Sequence, residues 1–335
     1  MTNRVLDLSD QPVRLSVQNS LLLLRFSAGR PYREPNGEKV YRCEQLEKPG
    51  ELTIPLSDIA VLVVSNPQVT LSHAVLAGLA SAGGVFVACN EKHMPVSMLL
   101  PLESHSLQSE RFAAQASISA PTKKRAWQEI VRAKVRAQSR LLQERNGDDC
   151  GIGGFAARVR SGDPENIEAQ AARVYWRELF RNPEFRRDTD GDGLNACLNY
   201  GYAVLRAAVA RAICGAGLHP SLGLHHHNRY DAFCLADDLM EPFRPIVDSE
   251  VAKLSDCGRV IDELARESKQ ALLQGLLGRF EADGESRTIF DWAGQIASSL
   301  VAVIEARGEK LQIPDIRQCT AHSSHSPDGN PSAPA

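Results

Sequence analysis

The densest group of side chains that could do chemistry lies in residues 217–248. It consists of three consecutive histidines followed by three acids, namely His225, His226, His227, Asp237, Asp238 and Glu241. Imidazole and carboxylate groups bind divalent metal ions, and a carboxylate-rich site with a single imidazole suits Mg²⁺ or Mn²⁺ better than structural zinc. Beside a basic surface, such a site could cut or join phosphodiesters.

These side chains cannot all share one site. Three consecutive histidines cannot point the same way, so one imidazole ligand is expected, and a histidine that is merely packed in an apolar loop remains an alternative. On a helix from about residue 231, Glu241 lies four residues after Asp237 and three after Asp238, so either pair shares one face. A solvated helix face is the plainer alternative. Pro242 lacks an amide hydrogen and should kink this helix.

A further acid, Glu168, precedes Ala171 and Tyr175 at helical spacing, beside the expected buried face. A glutamate in that position is costly unless it is paired or bound to a metal ion. Its plain interpretation is an acid in the first turn of a helix, where the helix dipole favours negative charge.

The sequence from Asp188 to Gly193 has the Asp-x-Asp-x-Asp-Gly opening of an EF-hand calcium loop. The twelfth position is Asn199, where the calcium loop needs a bidentate glutamate. A turn that caps a helix beginning near Leu194 explains the same residues, so calcium binding is the less favoured alternative.

The helix and strand patterns along the sequence, which must position these residues, predict an α+β protein. Apolar runs predict strands at 13–17, 20–26, 51–56, 59–64 and 85–89, and a helix at 71–82. Helical patterns follow at 102–118, 122–145, 165–181, 192–216, 232–255, 258–277 and 286–307. We therefore expect a small β-rich domain over residues 1–100, a larger all-helical domain over 101–318 and a disordered tail over 319–335.

Composition favours a globular, cytoplasmic protein that does not enter the membrane. The 335 residues contain no apolar run long enough to cross a bilayer and no secretory-signal pattern at the start. The eight cysteines form no CxxC pair and are predicted to be reduced core residues. The formal net charge of −3 does not indicate nucleic-acid binding.

A local excess of positive charge nevertheless predicts phosphate binding between residues 123 and 145. The cations of this segment are Lys123, Lys124, Arg125, Arg132, Lys134, Arg136, Arg140 and Arg145. The only acids among them are Glu129 and Glu144.

Together these residues resemble the CRISPR-associated adaptation integrases, the Cas-one endonuclease family, in its type II form. The resemblance covers nearly the whole chain, including residues 54–64, 67–73, 101–108 and 194–205 and the pattern Glu168-x-x-Ala-Ala-x-x-Tyr175. Its most specific part is Gly223-Leu-His-His-His-Asn-Arg-Tyr, followed by Leu-Ala-Asp-Asp-Leu-Met-Glu-Pro-Phe-Arg-Pro.

The resemblance implies an N-terminal β-domain used for dimerisation and a larger helical domain that holds Mg²⁺ or Mn²⁺. Glu168, His226 and Glu241 match the family's catalytic ligand positions, and Asp238 is a near neighbour that could share the last role. Whether His226 is a ligand or a proton carrier stays open. The residues expected to support the site are His227, Asn228 and Arg244.

The implied reaction is attack by a 3′-hydroxyl of captured foreign DNA on a phosphodiester at the edge of a CRISPR repeat. The implied partners are double-stranded DNA, a second copy of the chain, and a small ferredoxin-like second adaptation protein in a heterohexamer. In type II systems, the effector nuclease and a helical accessory protein also take part. The cations expected to hold the DNA backbone are Lys123, Lys124, Arg125, Arg132, Arg136, Arg140, Arg158, Arg160, Arg173 and Arg177.

Two alternatives remain at this point. The first is a metal-dependent nuclease that acts on branched DNA in repair with the same three ligands, and it differs in cutting DNA without joining it. The second is a non-catalytic DNA-binding scaffold in which the carboxylates form buried ion pairs with Arg229 or Arg244. That scaffold predicts that alanine substitutions of the three residues harm folding more than activity.

Overall fold

The computed structural model describes residues 3–9, 11–26, 32–33, 39–40, 50–90, 95–101, 103–257, 264–308 and 310–318. The predicted disordered tail, residues 319–335, lies outside these ranges. None of the helices within them has the length and apolar character needed to cross a membrane.

Strands occupy most of the N-terminal part of the chain. They are β1 (Arg4–Leu8), β2 (Val13–Gln18), β3 (Leu21–Phe26), β4 (Tyr32–Arg33), β5 (Lys39–Val40), β6 (Gly50–Pro55), β7 (Ile59–Val64), β8 (Thr70–Leu71), β9 (Val85–Cys89) and β10 (Pro95–Leu99). Helix α1 (His73–Ser81) lies between β8 and β9. The sequence predicts β2, β3, β6, β7, β9 and α1, and it misses β1 and β10 at the edges of their sheet.

Two four-stranded sheets form this region. One has the order β1-β7-β9-β10, in which the first three strands are parallel and β10 is antiparallel to β9. The other has the order β6-β3-β2-β8 and contains the β2–β3 hairpin. Positive φ angles at Asn19 (49°) and Ser20 (61°) give this hairpin the left-handed turn that matches the strand twist.

Strand β7 explains how the N-terminal part joins the helical part. Its sequence is apolar throughout and nearly all buried, as expected for a parallel strand that is covered on both faces. Leu62 packs with Leu15 and Leu79 in a core between the sheets and α1. Val61 and Val63 face the other way and belong to the large core of the helical part. The two parts therefore share one packed boundary.

Helices dominate the rest of the chain. They are α2 (Gln108–Ala116), α3 (Ala120–Asn146), α4 (Gly153–Arg158), α5 (Ile167–Leu179), α6 (Leu194–Gly215), α7 (Cys234–Met240), α8 (Arg244–Asp256), α9 (Arg266–Leu276) and α10 (Ile289–Ile304). Helix α6 is apolar on most of its surface and largely buried, as expected for a central helix. Helix α4 is absent from the sequence prediction, which has no element between the helices expected at 122–145 and 165–181.

Pro242 interrupts the predicted helix 232–255 as expected. Helix α7 ends at Met240, a 3-10 turn spans Glu241–Phe243, and α8 begins at Arg244. The turn changes the direction in which successive side chains leave the backbone. Glu241 therefore does not simply continue the helix face of Asp237 or Asp238.

The prediction of an all-helical second domain is wrong in residues 279–318. Strands β11 (Arg279–Ala282), β12 (Glu285–Thr288) and β13 (Arg317–Gln318) form a small antiparallel sheet. Asp283 and Gly284, with φ angles of 51° and 79°, make the β11–β12 turn, and an Asp-Gly pair is a strong hairpin signal. Helix α10 starts after this hairpin, where Thr288 and Asp291 form a capping box.

Candidate active site

The two glutamates predicted as ligands meet at one lysine. Glu168 lies in the first turn of α5, Glu241 lies in the 3-10 turn, and Lys134 lies midway along α3. The Lys134 ammonium is 2.5 Å from Oε1 of Glu168 and 2.6 Å from Oε2 of Glu241. A single cation, only 12% exposed, therefore bridges two carboxylates that are far apart in the sequence.

Asp163 positions Glu168 within the first turn of α5. Its carboxylate accepts hydrogen bonds from the backbone N–H groups of Ile167 (2.9 Å) and Glu168 (3.0 Å). These bonds satisfy amides that have no partner inside the helix. Glu168 thus lies in the dipole-favoured first turn and also points at a charge partner, with 23% of its side chain exposed.

Glu241 is the more deeply buried of the two, with a side chain only 4% exposed. Its Oε1 is 2.9 Å from Nε of Arg244. Burial raises the pKa of Glu241, but Arg244 and Lys134 outweigh this effect and hold the pKa below its ordinary value. Burial likewise lowers the pKa of Lys134, but Glu241 and Glu168 outweigh it and raise the pKa. The attraction between Glu241 and Lys134 therefore favours the charged form of each.

His226 is held by Asp238. Oδ1 of Asp238 lies 2.7 Å from Nδ1 of His226 and also accepts the His226 backbone N–H at 3.1 Å. Its Oδ2 accepts the backbone N–H groups of Leu224 (2.6 Å) and His225 (3.0 Å). The Asp238 side chain has no solvent exposure, and both of its oxygens serve to shape the histidine loop. Asp238 thus has no oxygen directed toward the two glutamates.

The hydrogen bond that Asp238 accepts is the largest effect on the pKa of His226 and raises it above the ordinary value, although burial opposes this. With Nδ1–H donating to a carboxylate, the imidazole keeps its lone pair on Nε2. Within the described residues Nε2 has no hydrogen-bond partner, and the side chain is 42% exposed. This arrangement is typical of a histidine that binds a metal ion or transfers a proton at Nε2.

Gly223 allows the loop to close on Asp238. A Cβ atom at this position would lie 2.2 Å from the carbonyl oxygen of His226 and 3.1 Å from Oδ2 of Asp238. The first distance is too short for any side chain next to backbone, and the second would push the Asp238 carboxylate from its place. The glycine of the Gly-Leu-His pattern is therefore required for the histidine to reach its place.

Helix α3 brings the two halves of the site together. The ring of His225 stacks on Trp127 at a centroid distance of 4.2 Å, and His226 meets the same indole edge-on at 5.7 Å. Lys134 follows Trp127 by two helical turns on the same side of α3. One helix face thus contacts both the histidine loop and the glutamate pair.

The sequence prediction misses the roles of Trp127 and Lys134. It does not single out Trp127, and it counts Lys134 only among the cations of the basic segment. A usable signal exists, because Lys134 follows Trp127, Ile130 and Val131 at the spacing of a buried helix stripe. A lysine on an apolar stripe needs a negative partner.

The predicted supporting residues have more local roles. Nδ1 of the exposed His227 is 2.6 Å from the carbonyl oxygen of His225. The side chain of Asn228 accepts a hydrogen bond from the backbone N–H of Tyr230 at 3.0 Å and closes a turn. Arg244 pairs with Glu241. All three shape the surroundings of the site.

Asp237 faces away from the glutamate pair. Both of its oxygens bind Arg206, at 2.6 and 2.9 Å, in a bidentate ion pair. Burial raises the pKa of Asp237 to about 6 in spite of this arginine. The predicted carboxylate pair of Asp237 and Glu241 does not form, because the two acids have different partners.

The donor set fits Mg²⁺ or Mn²⁺ in kind but is not gathered around an ion. Among the described residues, no three His, Cys, Asp or Glu side chains are close enough to hold a metal. The Lys134 ammonium lies between the glutamates and accounts for their separation. Oε2 of Glu241 is buried and has only this charge contact, without a hydrogen bond of good geometry in the described part of the chain. An ill-satisfied carboxylate oxygen beside a second carboxylate suits a hard cation.

The EF-hand-like loop has a structural explanation. Asp188 accepts the backbone N–H of Asp190 at 2.9 Å, and the amide of Asn199 donates to the carbonyl of Thr189 at 2.8 Å. These bonds close a turn before α6, as in the turn alternative. In the described part of the chain no three His, Cys, Asp or Glu side chains gather in this loop to hold an ion, and the calcium alternative gains no support.

The predicted DNA-binding cations fall into two groups. Arg132 donates to the carbonyl of Val159 at 3.0 Å, and Arg140 pairs with Asp315 and donates to the carbonyl of Ile316 at 2.9 Å. These two arginines fasten α3 to neighbouring segments. Lys123 reaches the carbonyl of Gly223 at 3.3 Å. The exposed members are Lys124, Arg125, Arg136, Arg158, Arg160, Arg173 and Arg177.

A buried acid behind the site, Asp248, links α8 to two other helices. Tyr175 of α5 donates to its Oδ2 at 2.7 Å, and Tyr202 of α6 donates to its Oδ1. The guanidinium of Arg244 lies over the Tyr202 ring at 4.6 Å from its centroid. Burial raises the pKa of Asp248 from 3.8 to about 6, although both tyrosines and Arg244 oppose it.

We expect the stability of Asp248→Asn, compared with that of the wild type, to increase as the pH rises. A carboxyl group whose pKa is raised in the folded state stabilises the fold below its unfolded pKa, near pH 4, and loses that contribution as the pH reaches about 6. The melting temperature of the variant minus that of the wild type should therefore increase from about pH 4 to about pH 7. Thermal unfolding followed by circular dichroism measures this difference. A difference independent of pH would contradict the prediction.

Solved structures share the fold of this chain. A casposase bound to an integration product aligns with a TM-score of 0.70 at 21% identity, covering 92% of both chains. A Cas6-RT-Cas1–Cas2 complex aligns with a TM-score of 0.70 at 15% identity, covering 93% of this chain and 36% of that one. At these identities the likeness shows the fold, which is shared by proteins of DNA integration and CRISPR systems.

The sequence comparisons then define the family. The family model described as CRISPR associated protein Cas1 matches residues 40–275, and the chain belongs to this family. The CRISPR-associated endonuclease Cas1 of Neisseria meningitidis serogroup C (strain 8013) is 37% identical over 267 residues, which are 79% of this chain and 87% of the relative. The resemblance drawn from the sequence motifs is confirmed.

Proposed function

We propose that this protein is the integrase and endonuclease of CRISPR adaptation, in the type II form. It joins the 3′-hydroxyl ends of captured foreign DNA to phosphodiesters at the edges of a CRISPR repeat. The supporting observation is that Glu168, Glu241 and the His226 loop converge on one buried face of α3 in a chain of the Cas1 family. The names of the relatives, endonuclease and casposase with an integration product, agree with this chemistry.

The residues that would hold Mg²⁺ or Mn²⁺ are Glu168, His226 through Nε2, and Glu241. Such an ion, when bound, neutralises charge on the phosphoryl oxygens and lowers the pKa of the attacking hydroxyl. Asp238 keeps the imidazole oriented, with Nε2 free, and we assign it a positioning role because both of its oxygens are already engaged. Arg244 compensates the charge of Glu241.

One observation agrees with the scaffold alternative: Glu241 pairs with Arg244, as that hypothesis requires. Loss of folding in a Glu241 variant therefore cannot separate the two hypotheses. A Glu168 variant can separate them, since Glu168 is partly exposed and has one charge partner among the described residues. Glu168→Gln should stop strand transfer in a folded protein if the site is catalytic, and it should leave DNA binding as the only function if the site is a scaffold.

The partners follow from the same proposal. We infer that residues 1–100 form the homodimer contact and that a small ferredoxin-like adaptation protein joins two such dimers in a heterohexamer. A solved complex of similar fold carries a Cas2 component, which supports a partner of this kind. Double-stranded DNA is the substrate, and the type II effector nuclease and a helical accessory protein are further partners. The cytoplasm of a prokaryote is the place of action.

The decisive experiment follows labelled duplex DNA and a plasmid that carries a CRISPR repeat. The purified protein is tested with and without its small partner in Mg²⁺, Mn²⁺ and EDTA. Joined product that needs the metal ion supports the integrase. Cleavage without joining supports the branched-DNA nuclease, and DNA binding without either product supports the scaffold.

The exposed cations of α3 are expected to hold the DNA backbone. Replacing Lys124, Arg125 and Arg136 by alanine should weaken duplex binding and lower the slope of log affinity against log salt by about 3. This set avoids Arg132 and Arg140, whose contacts within the chain would confound the result. Fluorescence anisotropy over a salt series measures both effects.

A matched control removes the same charge from other elements of the protein. The control replaces the exposed cations Lys253, Arg287 and Arg317 by alanine. It should change the salt slope by less than about 1, because only phosphates in contact release counterions. An equal loss in both variants would contradict a DNA path along α3.

A further inference from the structure

Lys134 occupies the space that a metal ion shared by the two glutamates would need. Its ammonium lies 2.5 Å from Glu168 and 2.6 Å from Glu241. Carboxylate oxygens hold Mg²⁺ at about 2.1 Å. A cation that bridges the same two oxygens would overlap with the ammonium, so both cannot stay there together.

The charges explain why the lysine lies there. Glu241 is buried and has Arg244 on one oxygen, whereas its other oxygen has only Lys134. Glu168 has Lys134 as its one ion pair among the described residues. Two nearby carboxylates repel each other unless a cation lies between them. Lys134 supplies that cation from within the chain, on the buried stripe of α3.

We propose that Lys134 is an internal counter-ion that holds Glu168 and Glu241 together in the metal-free protein and that Mg²⁺ or Mn²⁺ must displace it. This inference rests on the metal-dependent function proposed above. The lysine is a positioning residue, and it makes metal binding weaker than the three ligands alone would allow. The protein thereby folds with Glu168 and Glu241 held close to each other before a metal ion arrives.

Metal binding without DNA tests this competition directly. Lys134→Met keeps the length of the side chain and removes its charge, and it is expected to tighten Mn²⁺ binding by about tenfold or more. Lys124→Met, on the exposed side of the same helix, is the matched control and should stay within about twofold of the wild type. Isothermal titration calorimetry with Mn²⁺ alone gives all three dissociation constants.

Thermal stability supplies a second readout. In EDTA, Lys134→Met should melt below the wild type because two carboxylates lose their shared cation. Added Mn²⁺ should raise its melting temperature by more than it raises that of the wild type, because a ligand of the folded state stabilises in proportion to its affinity. A variant that folds only with Mn²⁺ is the strongest form of the expected result.

The outcomes separate this inference from the proposed function. Mn²⁺ binding by the wild type that Lys134→Met does not tighten would overturn the competition and leave the metal site intact. Absence of Mn²⁺ binding in the wild type and in Lys134→Met would overturn the competition and the proposed metal site together. A Lys134→Met chain that is unfolded with Mn²⁺ as well as in EDTA would also overturn the proposed competition between Lys134 and the metal ion. Tightened binding that survives the added change Glu168→Gln would place the ion elsewhere and equally refute the proposal.

Discussion

Replacing His226 by alanine is expected to lower the rate of strand transfer by about 10³-fold, whether the imidazole binds the metal or carries a proton. The dissociation constant for duplex DNA should change by less than about threefold, because the substitution removes no phosphate-binding cation. The fold should persist, since the ring is 42% exposed and meets Trp127 only at its edge. Single-turnover strand-transfer assays and anisotropy measure the two quantities.

Two further variants serve as comparisons for His226→Ala. Asp238→Asn should lower strand transfer by about 10- to 100-fold, because residues that orient a metal-binding histidine have effects of this size. His73→Ala removes an exposed imidazole at the start of α1, away from the site, and should leave the rate unchanged. If His226→Ala joins DNA at the wild-type rate in Mg²⁺ or Mn²⁺, the site assignment is wrong.

Replacing Glu241 by alanine is expected to cost about 3–5 kcal/mol of unfolding free energy and to abolish strand transfer. The substitution leaves the charges of Lys134 and Arg244, whose side chains are only 12% and 24% exposed, close together and without the carboxylate that both contact. The loss is large because each charge was removed from water to form this pair. Unfolding in urea, followed by circular dichroism, gives the free energy.

The matched control is an exposed ion pair. Glu51→Ala breaks the pair with Arg25 on the N-terminal sheet and should cost less than about 1 kcal/mol, because exposed pairs are solvated. A Glu241→Ala protein as stable as the wild type would show that the Lys134–Glu241–Arg244 contacts do not carry stability. Activity lost in that stable protein would still support a role for Glu241 in the reaction.

Much of the fold could be predicted from local patterns. The apolar run of β7 predicts a buried strand, and Pro242 predicts the interruption between α7 and α8, because both effects act within a few residues. The prediction fails at β11 and β12, where the Asp283-Gly284 turn signal outweighs a helix-like pattern. Strands β1 and β10 are missed because strand pairing depends on distant residues, such as Val61 opposite Val5.

In the candidate site, too, short motifs could be read from the sequence, whereas contacts between distant residues could not. The sequence by itself determined the family, and it predicted Glu168, His226 and Glu241 as the ligands, because these belong to short motifs whose spacing is readable. Only the tertiary structure decided that Asp238 holds the imidazole and that Lys134 lies between the glutamates. The reason is physical: Lys134 meets Glu168 and Glu241 through the packing of α3 against two other segments, and no local period encodes a contact of that range.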